Sequence, residues 1–184
     1  MRCAGILTSM ASKRHLPVLQ APPDEGPVRP AWQWALFATG LIVLAWVCLT
    51  LVAAPITSLI FRANVGAWSS ADDLAARLAA APPEALGRIS METVALQTAV
   101  LAVASLMAGV VLGIWGPGRM LWQAAGAGVL AAIGAVLFAV AAARGTGDAG
   151  TIGLWGSVVL VPSSAASAWA GAWLGAKRKR PLPT

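Results

Sequence analysis

The chain has 184 residues, of which 58% are apolar and 11% charged, and a formal net charge of +6. A soluble domain carries roughly 25% charged residues, so a water-facing surface cannot be built all round. The charges also cluster in short segments and leave long stretches with none, which excludes an ordinary globular domain and points to an all-α membrane protein. The basic residues flank apolar stretches, as orientation in a bilayer requires. No separate basic surface with interleaved aromatics exists, so nucleic acid is not expected as a partner.

Residues 1–30 combine charge with Gly26 and with Pro22, Pro23, Pro27 and Pro30, so this tail is expected to be partly disordered and cytoplasmic. A secretory signal is the rival reading of its first part. The apolar stretch 4–11 is interrupted by Thr8 and Ser9 and followed by Lys13 and Arg14, so cleavage is not expected there, and Met10 is an alternative start. His15, the one histidine, sits beside these two cations. Cys3 in the tail and Cys48 inside an apolar stretch cannot meet in a disulfide under the topology below. Neither has a neighbour at metal-ligand spacing, so no metal or cofactor is expected.

Residues 31–61 carry no formal charge, and such a run exceeds the roughly 20 residues that cross a hydrocarbon core about 30 Å thick. This is the first span, with Pro55 expected to kink its far end. Its bulky residues, among them Leu41, Ile42, Leu44, Val47 and Leu51, suit a lipid-facing or outermost helix. The external loop, 62–90, is the longest connection. Within it, Ser70 is placed to cap a short amphipathic helix over 71–81, with Asp72 and Asp73 in the first turn and Pro82-Pro83 ending it. Leu74 and Leu78 share a face, so this helix is expected to lie on the bilayer surface with Trp68 as an anchor.

The second span is read as 93–115, with Ser90 as its cap and Glu92 in its first turn. A tight turn, Gly116-Pro117-Gly118-Arg119, leads to a third span over 120–143. A glycine-rich turn over 144–150 then leads to a fourth over 151–176. Residues 177–184 form a basic tail. The whole reads as one domain, 31–176, a bundle of four transmembrane helices.

Lysine and arginine are retained on the cytoplasmic side. One side holds Arg2, Lys13, Arg14, Arg29, Arg119, Lys177, Arg178, Lys179 and Arg180, nine in all; the other holds Arg62, Arg77, Arg88 and Arg144, four. The expected topology is therefore N-in and C-in, across a cell (inner) membrane. Tryptophans 32, 34, 115, 122, 169 and 173 fall near the inner interface, Trp68 and Trp155 near the outer, and Trp46 mid-span, where its indole N–H needs a partner or is left without one.

Within a bilayer, helices associate through small residues and a few hydrogen bonds rather than through the hydrophobic effect. Ser105, Gly109 and Gly113 line one face of the second span, Ala127, Ala131 and Ala135 one face of the third, and Ser167, Gly171 and Gly175 one face of the fourth. Helix contact within the chain, or with a partner or second copy, is the role expected of them. The hydroxyls of Ser163 and Ser164 are expected to serve carbonyls released by Pro162. Lys177, Arg178, Lys179 and Arg180 are expected to bind anionic headgroups.

An ionisable group at membrane depth would signal function, and the four span cores contain none. Gln97 and Gln123 are neutral groups about one turn inside. The chain has no GxSxG, HExxH or phosphate-cradling motif, and Asp72 and Asp73, being adjacent, point in different directions. The expected function is a non-enzymatic scaffold, accessory subunit or assembly factor. The alternatives are a small transporter or channel for a neutral or apolar solute, using Gln97, Gln123 and the serines near Pro162, and an enzyme on a lipid-linked substrate using Glu92.

Overall fold

A computed structural model describes residues 30–116, 120–142 and 149–178. The N-terminal tail through Arg29, residues 117–119, the turn 143–148, and Lys179, Arg180 and the four residues after them lie outside the described residues, as does the side chain of Trp155. The described residues form five α-helices and no strand: α1 (Ala31–Val65), α2 (Ala71–Ala80), α3 (Pro83–Trp115), α4 (Leu121–Ala142) and α5 (Ala149–Arg178). All but α2 contain a stretch long and apolar enough to cross a membrane, which makes the chain a multi-pass membrane protein by length and composition.

The helix boundaries differ most from expectation at the start of α3. Ser90 does not cap the second span, because α3 already begins at Pro83, preceded by Pro82 in an extended conformation. Proline suits the first helical position, where its missing N–H has no intrahelical partner in any case. Glu84, not Glu92, is therefore the first-turn carboxylate, and the connection 62–90 shrinks because α1 also continues to Val65. At 1.5 Å per residue α1 and α3 are each about 50 Å long, well beyond a hydrocarbon core of about 30 Å. Helix α1 passes Pro55 unbroken, and α5 passes Pro162 unbroken.

The link between α1 and α3 is tied locally. Gly66, with φ of 83°, donates its N–H to the Arg62 carbonyl and closes α1, a left-handed conformation that glycine adopts without steric cost. Arg62 lies over the Trp68 ring at 5.5 Å, and Phe61 meets the same ring edge-on at 6.4 Å. Ser70 caps α2 by accepting the Asp73 N–H at 3.2 Å, while the Asp73 carboxylate accepts the Ser69 N–H at 3.1 Å. Asp73 also accepts from Arg77 Nε at 2.9 Å. These contacts, the Arg77 bond foremost, hold the Asp73 carboxyl below its ordinary 3.8. No residue of α2 is buried.

Helix α5 is central: it packs extensively on both α3 and α4, which barely touch each other, while α1 lies across α3 and α4. Only 11% of the most apolar stretch of α1 is buried within the bundle, against 44% for α3, so α1 is the peripheral helix. The core is made of small residues, with Ala104, Ala108, Ala124, Ala127, Ala132, Ala168 and Ala172 all almost fully buried around Ile42, Leu101 and Leu112. Alanine in such a core lets helix axes approach closely, which is how dispersion is gained where lipid is as apolar as protein.

Candidate functional site

The small-residue faces converge on α5. A Cβ placed on Gly109 would collide with the Ala168 carbonyl oxygen, and one on Gly113 with that of Ala172. Reciprocally, a Cβ on Gly171 would collide with the Leu106 carbonyl oxygen and one on Gly175 with that of Val110. Four glycines therefore allow two backbones to touch along two turns. Because residue numbers rise together on both sides, α3 and α5 run parallel, and Trp115 and Lys177 share an end of the bundle opposite α2. Parallel second and fourth spans are what alternate crossings produce.

The third face is used differently. Ala127 and Ala131 are buried in the core, and Ala135 is partly buried against it. The close approach of α4 to α5 is made instead by Gly128, whose added Cβ would lie 2.7 Å from the Ser164 carbonyl oxygen. Gly128 falls one position from Ala127, so neither the alanine ladder nor glycine spacing marked it.

Ser105 and Ser164 carry the polar contact of this interface. Both are fully buried. Ser164 Oγ donates to the Gly128 carbonyl at 2.9 Å, and the two hydroxyls lie 2.7 Å apart. A hydroxyl has one proton, and since Ser164 gives its own to a carbonyl, Ser105 must donate to Ser164. The result is a chain running from α3 through α5 to α4. This corrects the expectation for Ser164, which serves a neighbouring helix and not a carbonyl released by Pro162; Ser163 remains local, donating to the Leu160 carbonyl at 3.0 Å. Ser167 is half-buried.

A second polar grouping lies in the half of the bundle nearest α2. Trp46 and Thr50 of α1, Gln97 and Leu101 of α3, and Phe138 of α4 help line a cleft of about 540 Å³. Trp46 Nε1, Thr50 Oγ1 and Gln97 Oε1 are shielded and have no hydrogen-bond partner among the described residues. Elsewhere, threonine hydroxyls at 39, 57 and 98 donate to the carbonyl four residues back. Gln97 thus belongs to a cleft, whereas Gln123 and the serines near Pro162 do not line it.

No protein-family model matches the chain, and no curated protein or solved structure matches it either. The site therefore has to be read from its own chemistry. Among the described residues, no group of three His, Cys, Asp or Glu side chains is placed to hold a metal ion. At the end of α5, Lys177 Nζ sits 3.5 Å over the Trp173 ring, and with Arg178 it places two cations in the last turn, where they complement the helix dipole.

Proposed function

We propose that this protein is a non-enzymatic scaffold, accessory subunit or assembly factor of a cell (inner) membrane, with both termini cytoplasmic, acting through helix contacts with another membrane chain or a second copy. The observation that carries the reading is the backbone-to-backbone clamp between α3 and α5. Alternating access needs elements with two arrangements, commonly broken helices at the membrane midplane. Here α5 is continuous past Pro162, and the glycine clamp and serine chain tie α3, α4 and α5 into one unit. A rigid unit suits a part that positions others. Lys177, Arg178, Lys179 and Arg180 would hold one end against anionic headgroups, with the Trp173 ring beside Lys177 at the interface.

Helix contact with another chain has a ready test. Gly126 and Gly134 lie on α4 with no heavy atom within 4 Å of an added Cβ, so a side chain there begins in open space, and thermal melting of each variant checks that the chain's own packing is kept. Donor- and acceptor-labelled copies, or a copy with its co-purified partner, should lose association in native membranes on Gly126→Leu with Gly134→Leu. A monodisperse monomer in mild detergent, with unchanged proximity for both variants, refutes the reading.

The cleft beside Gln97 favours a second reading, a small transporter for a neutral or apolar solute. Vesicles containing the protein should then show solute flux that Gln97→Leu alters, and absence of flux across a broad panel removes it.

A further inference from the structure

Helix α1 carries its own measure of depth. Trp32 is 61% exposed at its start, and Arg62 is the first charged residue after the charge-free run 31–61. The thirty residues from one to the other span about 45 Å along the helix axis, and a tilt of about 20° shortens that only to about 42 Å. A bilayer with its headgroups is about 40–45 Å thick. With Trp32 in one headgroup layer, where exposed tryptophans settle, Arg62 falls in the other, at the level of the lipid phosphates.

At that level the chain turns back on itself. Gly66, with φ of 83°, ends α1, and Trp68 returns so that its ring lies 6.4 Å from the Phe61 ring, with the Arg62 guanidinium 5.5 Å over it. Stacking on an indole fixes the plane of a guanidinium and leaves its N–H edge free. Arg62 is exposed, and it has no carboxylate partner among the described residues, where the ion pair is Arg77 with Asp73. A second guanidinium flanks the same turn: Arg77 Nη1 lies 3.4 Å from the position a Cβ on Gly66 would take, and Asp73 engages only Nε of that side chain.

We infer that this turn, with Arg62 stacked on Trp68 and Arg77 beside Gly66, binds the phosphodiester of a phospholipid in the leaflet at the α2 end. A guanidinium edge gives two parallel N–H bonds to phosphate oxygens. The Trp68 and Phe61 rings sit where the glycerol and the upper acyl chains run. A soluble phosphate would meet the same donors; the depth of Arg62 is what selects the lipid. The inference does not depend on the helix-contact role proposed above, and it concerns the end of the bundle opposite Lys177.

The test is native mass spectrometry of the full chain released from detergent micelles with either dioleoylphosphatidylglycerol or dioleoylglycerol, which lacks the phosphate. Lys177, Arg178, Lys179 and Arg180 are changed to glutamine in every sample, so that the basic tail adds no binding. Phosphatidylglycerol should bind about ten-fold more tightly than dioleoylglycerol, and Arg62→Gln should weaken it about five- to ten-fold, as loss of charge-assisted hydrogen bonds implies. Trp68→Leu should weaken it about three-fold through loss of the stack. Arg88→Gln, at an exposed arginine of α3, is the control and should stay within about two-fold of the parent. Melting followed by circular dichroism checks folding. Should Arg62→Gln or Trp68→Leu fail to fold, Arg62→Lys carries the result, because it keeps the charge but loses the planar fork and should weaken binding about three-fold. Equal affinity for dioleoylglycerol overturns the inference, and so does equal loss in Arg62→Gln and Arg88→Gln, which would mean diffuse attraction alone. Displacement of the lipid by millimolar inorganic phosphate overturns it as well, since the turn would then hold a free anion.

Discussion

Replacing Gly171 by alanine tests the clamp at one of its two tightest points, the other being Gly109. The new Cβ would fall on the Leu106 carbonyl oxygen, with the Leu106 carbonyl carbon and the Val110 nitrogen each 3.0 Å away. All three are backbone atoms of α3, so no side chain can swing aside and the two helices must part. Overpacking of this kind costs about 1–3 kcal/mol. Alanine also favours the helix over glycine by about 1 kcal/mol, which would mask part of the loss. Gly134→Ala supplies the correction, since Gly134 is equally helical and its added Cβ meets nothing within 4 Å. Between the two variants the helix-propensity term cancels and the clash remains. At about 2 kcal/mol the folded-to-unfolded ratio differs by roughly thirty-fold. Equilibrium unfolding in mixed micelles with increasing dodecyl sulfate, followed by circular dichroism, measures it. If Gly171→Ala and Gly134→Ala unfold together, the close approach of α3 and α5 is wrong.

Other consequences are measurable in the same way. Ser164→Ala removes both hydrogen bonds of the buried chain and should cost about 1–2 kcal/mol, whereas Ser105→Ala, which leaves the bond to Gly128, should cost nearer 0.6 kcal/mol; a double variant equal to the sum of the two refutes the shared chain. Asp73 titrates below its ordinary 3.8, so its bonds to Ser69 and Arg77 are fully present above that pH and are lost as pH falls through the lowered value. Protection of the α2 amides, taken relative to the intrinsic exchange rate at each pH, should fall below pH 3.8, and Ser70→Ala should lower it at neutral pH by removing a cap worth about 1 kcal/mol. Exchange in α2 unaffected by either change refutes the capping account. Single cysteines at Ala75 and Thr184 in a chain lacking Cys3 and Cys48 should label from opposite faces of intact vesicles, and labelling from one face rejects the four-span topology. Changing Lys177, Arg178, Lys179 and Arg180 to glutamine should weaken attachment to anionic vesicles by about 1 kcal/mol per residue near the surface, read as co-flotation of a soluble fusion of the tail.

Much of the architecture was legible because bilayer physics acts on single segments. A stretch such as 31–61, with no formal charge, identifies a span without reference to any neighbour, and Ser70 with Asp73 marks a cap through contacts only three residues apart. The start of α3 was misplaced for a related reason. Ser90 and Glu92 have the chemistry of a helix start, but Pro83 has it too, seven residues earlier, and a polar first stretch does not stop a helix that extends beyond the hydrocarbon. The local signals competed, and the geometry of the link from Gly66 to Pro83 decided.

The interior was less legible. Small residues at four-residue spacing announced that helices would meet, yet not which pairs. Ser105, Gly109 and Gly113 look alike in sequence, but the first donates a hydrogen bond to Ser164 and the other two admit the backbone of α5. Gly128 makes the approach to α5 although the alanines beside it formed the visible ladder. Gln97 was visible as a polar residue just inside a span, while its membership of a cleft with Trp46 and Thr50 was not, since those residues lie on a helix about fifty positions earlier.

The amino-acid sequence by itself determined that this chain carries four segments long and apolar enough to cross a membrane and where α2 is capped, because transfer to hydrocarbon and local capping depend on each segment alone. Only the tertiary structure decided that α3 and α5 meet with their backbones in contact, that one serine joins three helices, and that Trp46 and Thr50 of α1 keep shielded polar atoms without partners among the described residues. Those outcomes depend on helix rotation and depth relative to neighbours, and inside lipid no hydrophobic pattern encodes them, since every face of an apolar helix is equally content against lipid or protein.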